Sequence, residues 1–210
     1  PMVFMLRPRS GPNQWVARER YNLVPATEVV EFTDLFGNSC QRLVAPPGEF
    51  ALGTEVEVML TAAATAADAP FVAVPDLPDA TLMFLLPSRY CESDRFWEMA
   101  TDIVAQAAPG HGQVDAITRW VNTNVINTPT SGPGPVSAIE INGRREGVCR
   151  DLAHISIALC RSLCIPARLV VGYLEGLVPM DIHAWFEAYV GGEWQTYDPA
   201  AFGNSGARIR

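Results

Sequence analysis

Three residues, Cys149, His183 and Asp198, have the types and the order needed for nucleophilic chemistry at a carbonyl. A cysteine attacks as thiolate, and a free thiol is mostly protonated at neutral pH. Gly147-Val148-Cys149 delivers the sulfur to the first turn of a long apolar run. There the unpaired backbone N–H groups and the helix macrodipole favour an anion. Asp181-Ile182-His183-Ala184-Trp185 supplies an imidazole, and Trp194-Gln195-Thr196-Tyr197-Asp198 ends in a carboxylate that could orient it. The chemistry expected is attack by Cys149 on a carboxamide or peptide carbonyl, giving a thioester that water or an amine resolves. The oxyanion is assigned to the Cys149 backbone N–H. No side-chain donor is assigned, Asn142 included.

Each residue alone has a plainer reading. Cys149 could be a small buried hydrophobe, His183 a core histidine beside Trp185, and Asp198-Pro199 a common turn pair. Their order, each at the edge of its own element, favours the triad. Cys160 and Cys164 read as helix packing. His154, five residues after Cys149, is turned away from it and reads as a packing or hydrogen-bonding residue. Arg144, Arg145 and Arg150 read as solvated or paired charges. A metal site built from Cys149, His154, Cys160, Cys164 and His183 has the wrong spacings for zinc, and no acidic cluster suggests Ca²⁺. No metal and no cofactor are expected.

These residues need elements to hold them. Leu152, Ile155, Ser156, Leu159 and Leu163 fall on one helical face, and little polar surface lies opposite, so the Cys149 helix is expected to be buried up to Ile165-Pro166. Arg168–Tyr173, His183–Val190 and Glu193–Tyr197 read as strands, the last two joined by a Gly191-Gly192 hairpin. Upstream, Phe96, Trp97, Ile103 and Val104 suit a helix opened by Ser93 or Asp94 and ended by Pro109-Gly110. Val114, Ile117, Trp120, Val121 and Val125 form a second helical stripe of core type. Trp15–Arg18, Tyr21–Val24, Thr27–Phe32, Ser39–Val44 and Glu55–Leu60 are strand-like, with a turn at Asp34–Asn38. The Ala/Thr-rich stretch 61–69 is open between strand and irregular chain. Prolines 70, 75 and 78 interrupt regular structure, and 127–135 reads as a stiff loop. The fold class expected is α+β, an N-terminal antiparallel β module over 1–90 followed by a catalytic core over 91–210.

Composition narrows the partners. The 210 residues carry 49% hydrophobic and 18% charged side chains, an ordinary globular balance. The net charge of −8 argues against nucleic acid or an anionic membrane as partner. All 15 basic residues are Arg, so crosslinking through the protein's own lysines is excluded. No run approaches a membrane span, and no leader pattern opens the chain. Five cysteines without a CxxC pair suit a reducing compartment, so the cytoplasm is expected.

The runs Gly147–His154, Leu163–Tyr173, Asp181–Glu187, and Trp194 with Tyr197-Asp198-Pro199 resemble the transglutaminase-like superfamily, most closely its bacterial branch with an N-terminal β module. Asp34, Gly37, Asn38 and Leu86-Pro87-Ser88 resemble parts of that module more weakly. The resemblance implies a papain-like core with the Cys helix packed on an antiparallel sheet. It also implies Cys149 as nucleophile, His183 as base and then acid, and Asp198 as orienter. It implies a chain that starts inside the β module and stops early. Such proteins act on protein or peptide substrates by acyl transfer, deamidation or hydrolysis, and some are inactive. Hydrolysis is favoured here, and the contrasting expectation is a non-catalytic peptide-binding domain.

Overall fold

A computed structural model describes residues 1–11, 13–61, 68–128, 134–201, 203 and 206–210. Parts of two sequence expectations, the 61–69 stretch and the 127–135 loop, therefore lie outside the described residues. In chain order the elements are β1 Met2–Phe4, β2 Gln14–Val24, β3 Val30–Thr33, β4 Ser39–Leu43, β5 Ala51–Leu60, α1 Asp79–Leu82, α2 Trp97–Ile103, α3 His111–Asn124, β6 Ile126–Asn127, α4 Ala138–Arg144, β7 Glu146–Gly147, α5 Cys149–Ser162, β8 Ala167–Leu174, β9 Ile182–Val190, β10 Glu193–Tyr197 and β11 Arg208–Ile209. The fold is α+β with antiparallel sheets, and the chain divides into two compact units.

The first unit comprises 1–63, 172–179 and 206–210. β1, β4 and β3 form an antiparallel sheet in that order, and β2 pairs with β5 in a long ribbon. The two runs expected at 15–18 and 21–24 are one 11-residue strand, because Glu19 and Arg20 stay in the ladder with a bulge between Val16 and Arg18. Arg7 pairs with both Glu19 and Glu31, so these strand carboxylates are neutralised in place. Asp34 makes the expected turn by accepting from the backbone N–H groups of Phe36 and Asn38 at 2.9 and 2.8 Å. β11 pairs with Tyr173 and Leu174 of β8.

The second unit comprises 64–171 and 180–205. β9 and β10 pair antiparallel through a two-residue turn in which Gly191 and Gly192 both have positive φ, 64° and 88°. That conformation suits a twisted hairpin and strains any residue with a Cβ. Phe186, Ala188 and Val190 of β9 join one core with Leu152, Ile155, Ile157 and Leu159 of α5, and with Val114, Ile117 and Val121 of α3. Every residue from Asp151 to Cys160 is buried, as the apolar pattern of α5 requires. Strand alternation puts Trp185 and Glu187 on the opposite face from Phe186 and Ala188. Arg168 holds the buried Glu187 carboxylate at 2.7 and 2.9 Å and lies 4.0 Å from the centroid of the Trp194 ring.

Two local expectations differ from the structure. The helix expected from Ser93 is a 3₁₀ turn at Ser93–Arg95 followed by α2, because Phe96, buried in the core, takes φ −117° and ψ 4° and separates them. The proline-broken stretch contains short helical turns at Val74–Asp76 and Asp79–Leu85, where Pro75 sits in the first turn and Pro78 precedes the second.

Candidate active site

The N-terminus of α5 is built by a tight turn. Gly147 lies between α4 and α5, where an added Cβ would come within 2.9 Å of both Ile141 Cδ1 and Asp151 Cβ. The Gly147 carbonyl accepts from Thr128 N at 2.8 Å through the β6–β7 bridge. Val148 is the N-cap of α5 and brings no side-chain acceptor. Instead Asp151 reaches back to the Val148 N–H at 3.3 Å, half of a capping box. Cys149 is then the first helical residue and is partly exposed.

His183, the second residue of β9, lies beside the Cys149 thiol, and each group shifts the other's titration. The backbone N–H groups of Ala184 and Arg150 also favour the thiolate. The hairpin brings Asp198, one residue beyond β10, to the far side of the ring, with Oδ2 at 2.8 Å from His183 Nε2. This bond keeps a proton on Nε2, donated to the carboxylate, and leaves Nδ1 for the sulfur. The second oxygen of Asp198 accepts the N–H groups of Ala200 and Ala201 at 3.2 and 3.0 Å. Trp185, only 1% exposed, stacks on the His183 ring with centroids 6.0 Å apart.

The electrostatics follow from these contacts. Burial pushes the Cys149 thiol up, but the bonds from His183, Ala184 and Arg150 outweigh it, and the net shift is downward. Burial pulls the His183 pKa down, while the bonds to Asp198 and Cys149 raise it, and the net value is about 9. A lowered thiol beside a raised imidazole favours the thiolate–imidazolium form of a coupled pair.

The other titratable residues fall elsewhere. His154 is buried on α5, bonds the Val136 carbonyl through Nδ1 at 3.2 Å and stacks on Tyr90, so it packs rather than reaching the sulfur. Burial drives the Cys160 thiol strongly up. Cys164 is exposed past the end of α5, so the packing role read for it does not hold. The reason is local: Cys164 takes a positive φ of 59° in the turn that closes the helix. Arg144 pairs with Glu140, Arg150 with Asp151, and Arg145 lies over Trp120. Asn142 lines a cavity of ≈ 210 Å³ with Arg95, Phe96, Met99 and Ile139. Among the described residues, no group of three or more His, Cys, Asp or Glu converges as a metal site, and no helix is long and apolar enough to cross a membrane.

Two contributors to this geometry were not read from the sequence. Asp151 was missed because the capping signal depends on Ser or Thr at the N-cap, where Val148 stands. Its position three residues after Val148 was the available clue. The Ala184 backbone N–H carries no side-chain signal.

Residues 98–199 match the core model of the transglutaminase-like superfamily. The crystal structure of a candidate cysteine protease from Cytophaga hutchinsonii is similar at a TM-score of 0.88 and 32% identity, covering 99% of this chain and 74% of that one. An uncharacterized protein of Mycobacterium leprae is 28% identical over 210 residues, 92% of this chain and 74% of its own length. The periplasmic domain of TgpA from Pseudomonas aeruginosa shares the fold at a TM-score of 0.52 and 16% identity, covering 94% of this chain and 67% of that one.

Proposed function

The chain belongs to the transglutaminase-like superfamily, and from that premise we propose that it is a thiol enzyme cleaving carboxamide or peptide amides through an acyl-enzyme. The observation that carries the reading is the contact chain from the Cys149 sulfur through His183 to Asp198, with the thiol lowered and the imidazole raised to about 9.

In this reading the Cys149 thiolate attacks the carbonyl carbon, and the carbonyl electrons move to oxygen. The oxyanion accepts the Cys149 backbone N–H. The intermediate collapses as the C–N bond breaks and His183 Nδ1 delivers its proton to the departing nitrogen. A thioester on Cys149 remains. Water gives a proton to the now neutral His183 as it adds to the thioester carbonyl, and collapse breaks the C–S bond, releasing the carboxylic acid and restoring the thiolate–imidazolium pair. Asp198 keeps the ring in one tautomer and balances its charge throughout. The reaction needs no resident metal or cofactor. Protein or peptide amides are the substrate class, a glutamine side chain among them. An odd cysteine count with no CxxC pair supports the cytoplasm as its compartment.

The test is acid-quenched intact mass spectrometry with glutamine-containing peptides, alongside ammonia release, chain cleavage and amine incorporation. The expected result is an acyl adduct mapping to Cys149, with ammonia or a new amino terminus, and none of these in Cys149→Ala. A wild-type protein that binds peptide yet yields no adduct, ammonia, cleavage or incorporation would replace the reading with a non-catalytic binding domain.

A further inference from the structure

We infer that Asp151 is a positioning residue for Cys149, holding the turn that aims the sulfur at His183; this rests on the reading of Cys149 as the nucleophile. Asp151 is 2% exposed, and a carboxylate so buried is costly unless its oxygens are used. Both are used on the nucleophile's own turn. Oδ2 accepts the Val148 N–H at 3.3 Å, and Oδ1 accepts Arg150 Nε at 3.1 Å. The bonded residues are the immediate neighbours of Cys149 on either side. The Asp151 backbone N–H closes the loop by donating to the Val148 carbonyl at 2.8 Å. Gly147 is pressed against the same side chain, with room for no Cβ between Asp151 and Ile141. The residues from Gly147 to Arg150 are thus fixed from one side by a single carboxylate.

Electrostatics alone would argue against an acid here. A negative charge two residues from a thiolate opposes its formation, so a bystander carboxylate slows the nucleophile. The geometry points the other way. Without the clamp, the first turn of α5 frays and Cys149 leaves the bonds from His183, Ala184 and Arg150 that lower its thiol. The two roles therefore differ in sign.

The experiment measures iodoacetamide alkylation of Cys149 between pH 5 and 9 by peptide mapping, in wild type, Asp151→Ala and Asp151→Asn, with folding checked by circular dichroism. Asn keeps an acceptor for the Val148 N–H and loses the charge. The expected result is alkylation at pH 6 slowed about tenfold or more in folded Asp151→Ala, with Asp151→Asn within about threefold of wild type. If Asp151→Ala does not fold, Asp151→Leu, which fills the space without an acceptor, takes its place. Rates equal to or faster than wild type in the folded Ala or Leu variant overturn the inference, as does an Asn variant as slow as Ala. A wild type whose own alkylation is slow and follows an ordinary thiol would instead sink the nucleophile reading.

Discussion

Replacing Asp198 by Asn tests how the imidazole is held. Among the described residues, the two oxygens of Asp198 serve three N–H donors: Oδ2 takes His183 Nε2 at 2.8 Å, and Oδ1 takes Ala200 and Ala201 at 3.2 and 3.0 Å. Asparagine has one carbonyl for these demands. If that oxygen stays with the backbone, the amide NH₂ faces Nε2 and drives the ring proton to Nδ1, against the sulfur. If it turns to the ring, the NH₂ is set against two backbone donors. The charge is lost in both cases. His183 stands at about 9, above an ordinary imidazole, because Asp198 and Cys149 together outweigh its burial, a net effect of roughly 3 kcal/mol. A share of about 2 kcal/mol for Asp198 lowers His183 in the variant toward neutrality. The alkaline limb of turnover, which requires the imidazolium as acid, should shift down from about 9 by on the order of one pH unit. The same energy predicts a fall in kcat of about 30-fold, growing toward ~10⁴ if the wrong tautomer dominates. The assay is the pH profile of turnover on the amide that acylates Cys149. A folded Asp198→Asn protein with an unmoved alkaline limb and kcat within about threefold of wild type would mean that Asp198 does not hold the imidazole charge or tautomer.

Two further perturbations follow from the same contacts. Gly147→Ala puts a Cβ 2.9 Å from both Ile141 and Asp151, so chemical denaturation should show a loss of about 1–3 kcal/mol, and unchanged stability would mean the turn relaxes freely. Burial, against the bond to Val136 O, lowers the His154 pKa, with Asp151, Arg150 and Glu92 as its charged neighbours. A histidine whose folded pKa lies below its unfolded value stabilises fully above about pH 6.5 and loses that stability as pH falls through the folded value. Melting temperature should therefore drop more steeply below pH 6.5 in wild type than in His154→Asn, and equal slopes would contradict this.

The placement of the candidate site residues was legible in the sequence where strong local signals mark element edges. Gly147 before an apolar run announces the start of α5, and Gly191-Gly192 fixes the register that carries Asp198 back to His183. The buried face of α5 was legible because its apolar residues recur at helical spacing. What escaped depends on partners distant in sequence. β1 and β11 are strands of three and two residues that exist through pairing with β4 and β8. The β6–β7 bridge joins Asn127 to Gly147 with no periodic pattern in either. α4 is capped by Ser137 and Glu140, a signal present in the sequence but shadowed by the prolines before it. Phe96 divides a continuous-looking helical stretch because its burial overrides helical propensity.

In the proposed reading, Cys149 is a thiolate because His183 is its charged partner. The most direct test is the rate of Cys149 alkylation from pH 5 to 9, followed by mass spectrometry, in wild type and His183→Ala. Fast, site-selective alkylation that persists at acidic pH in wild type and vanishes in the variant is the predicted result. Slow alkylation that rises only like an ordinary thiol and ignores His183 would contradict the account.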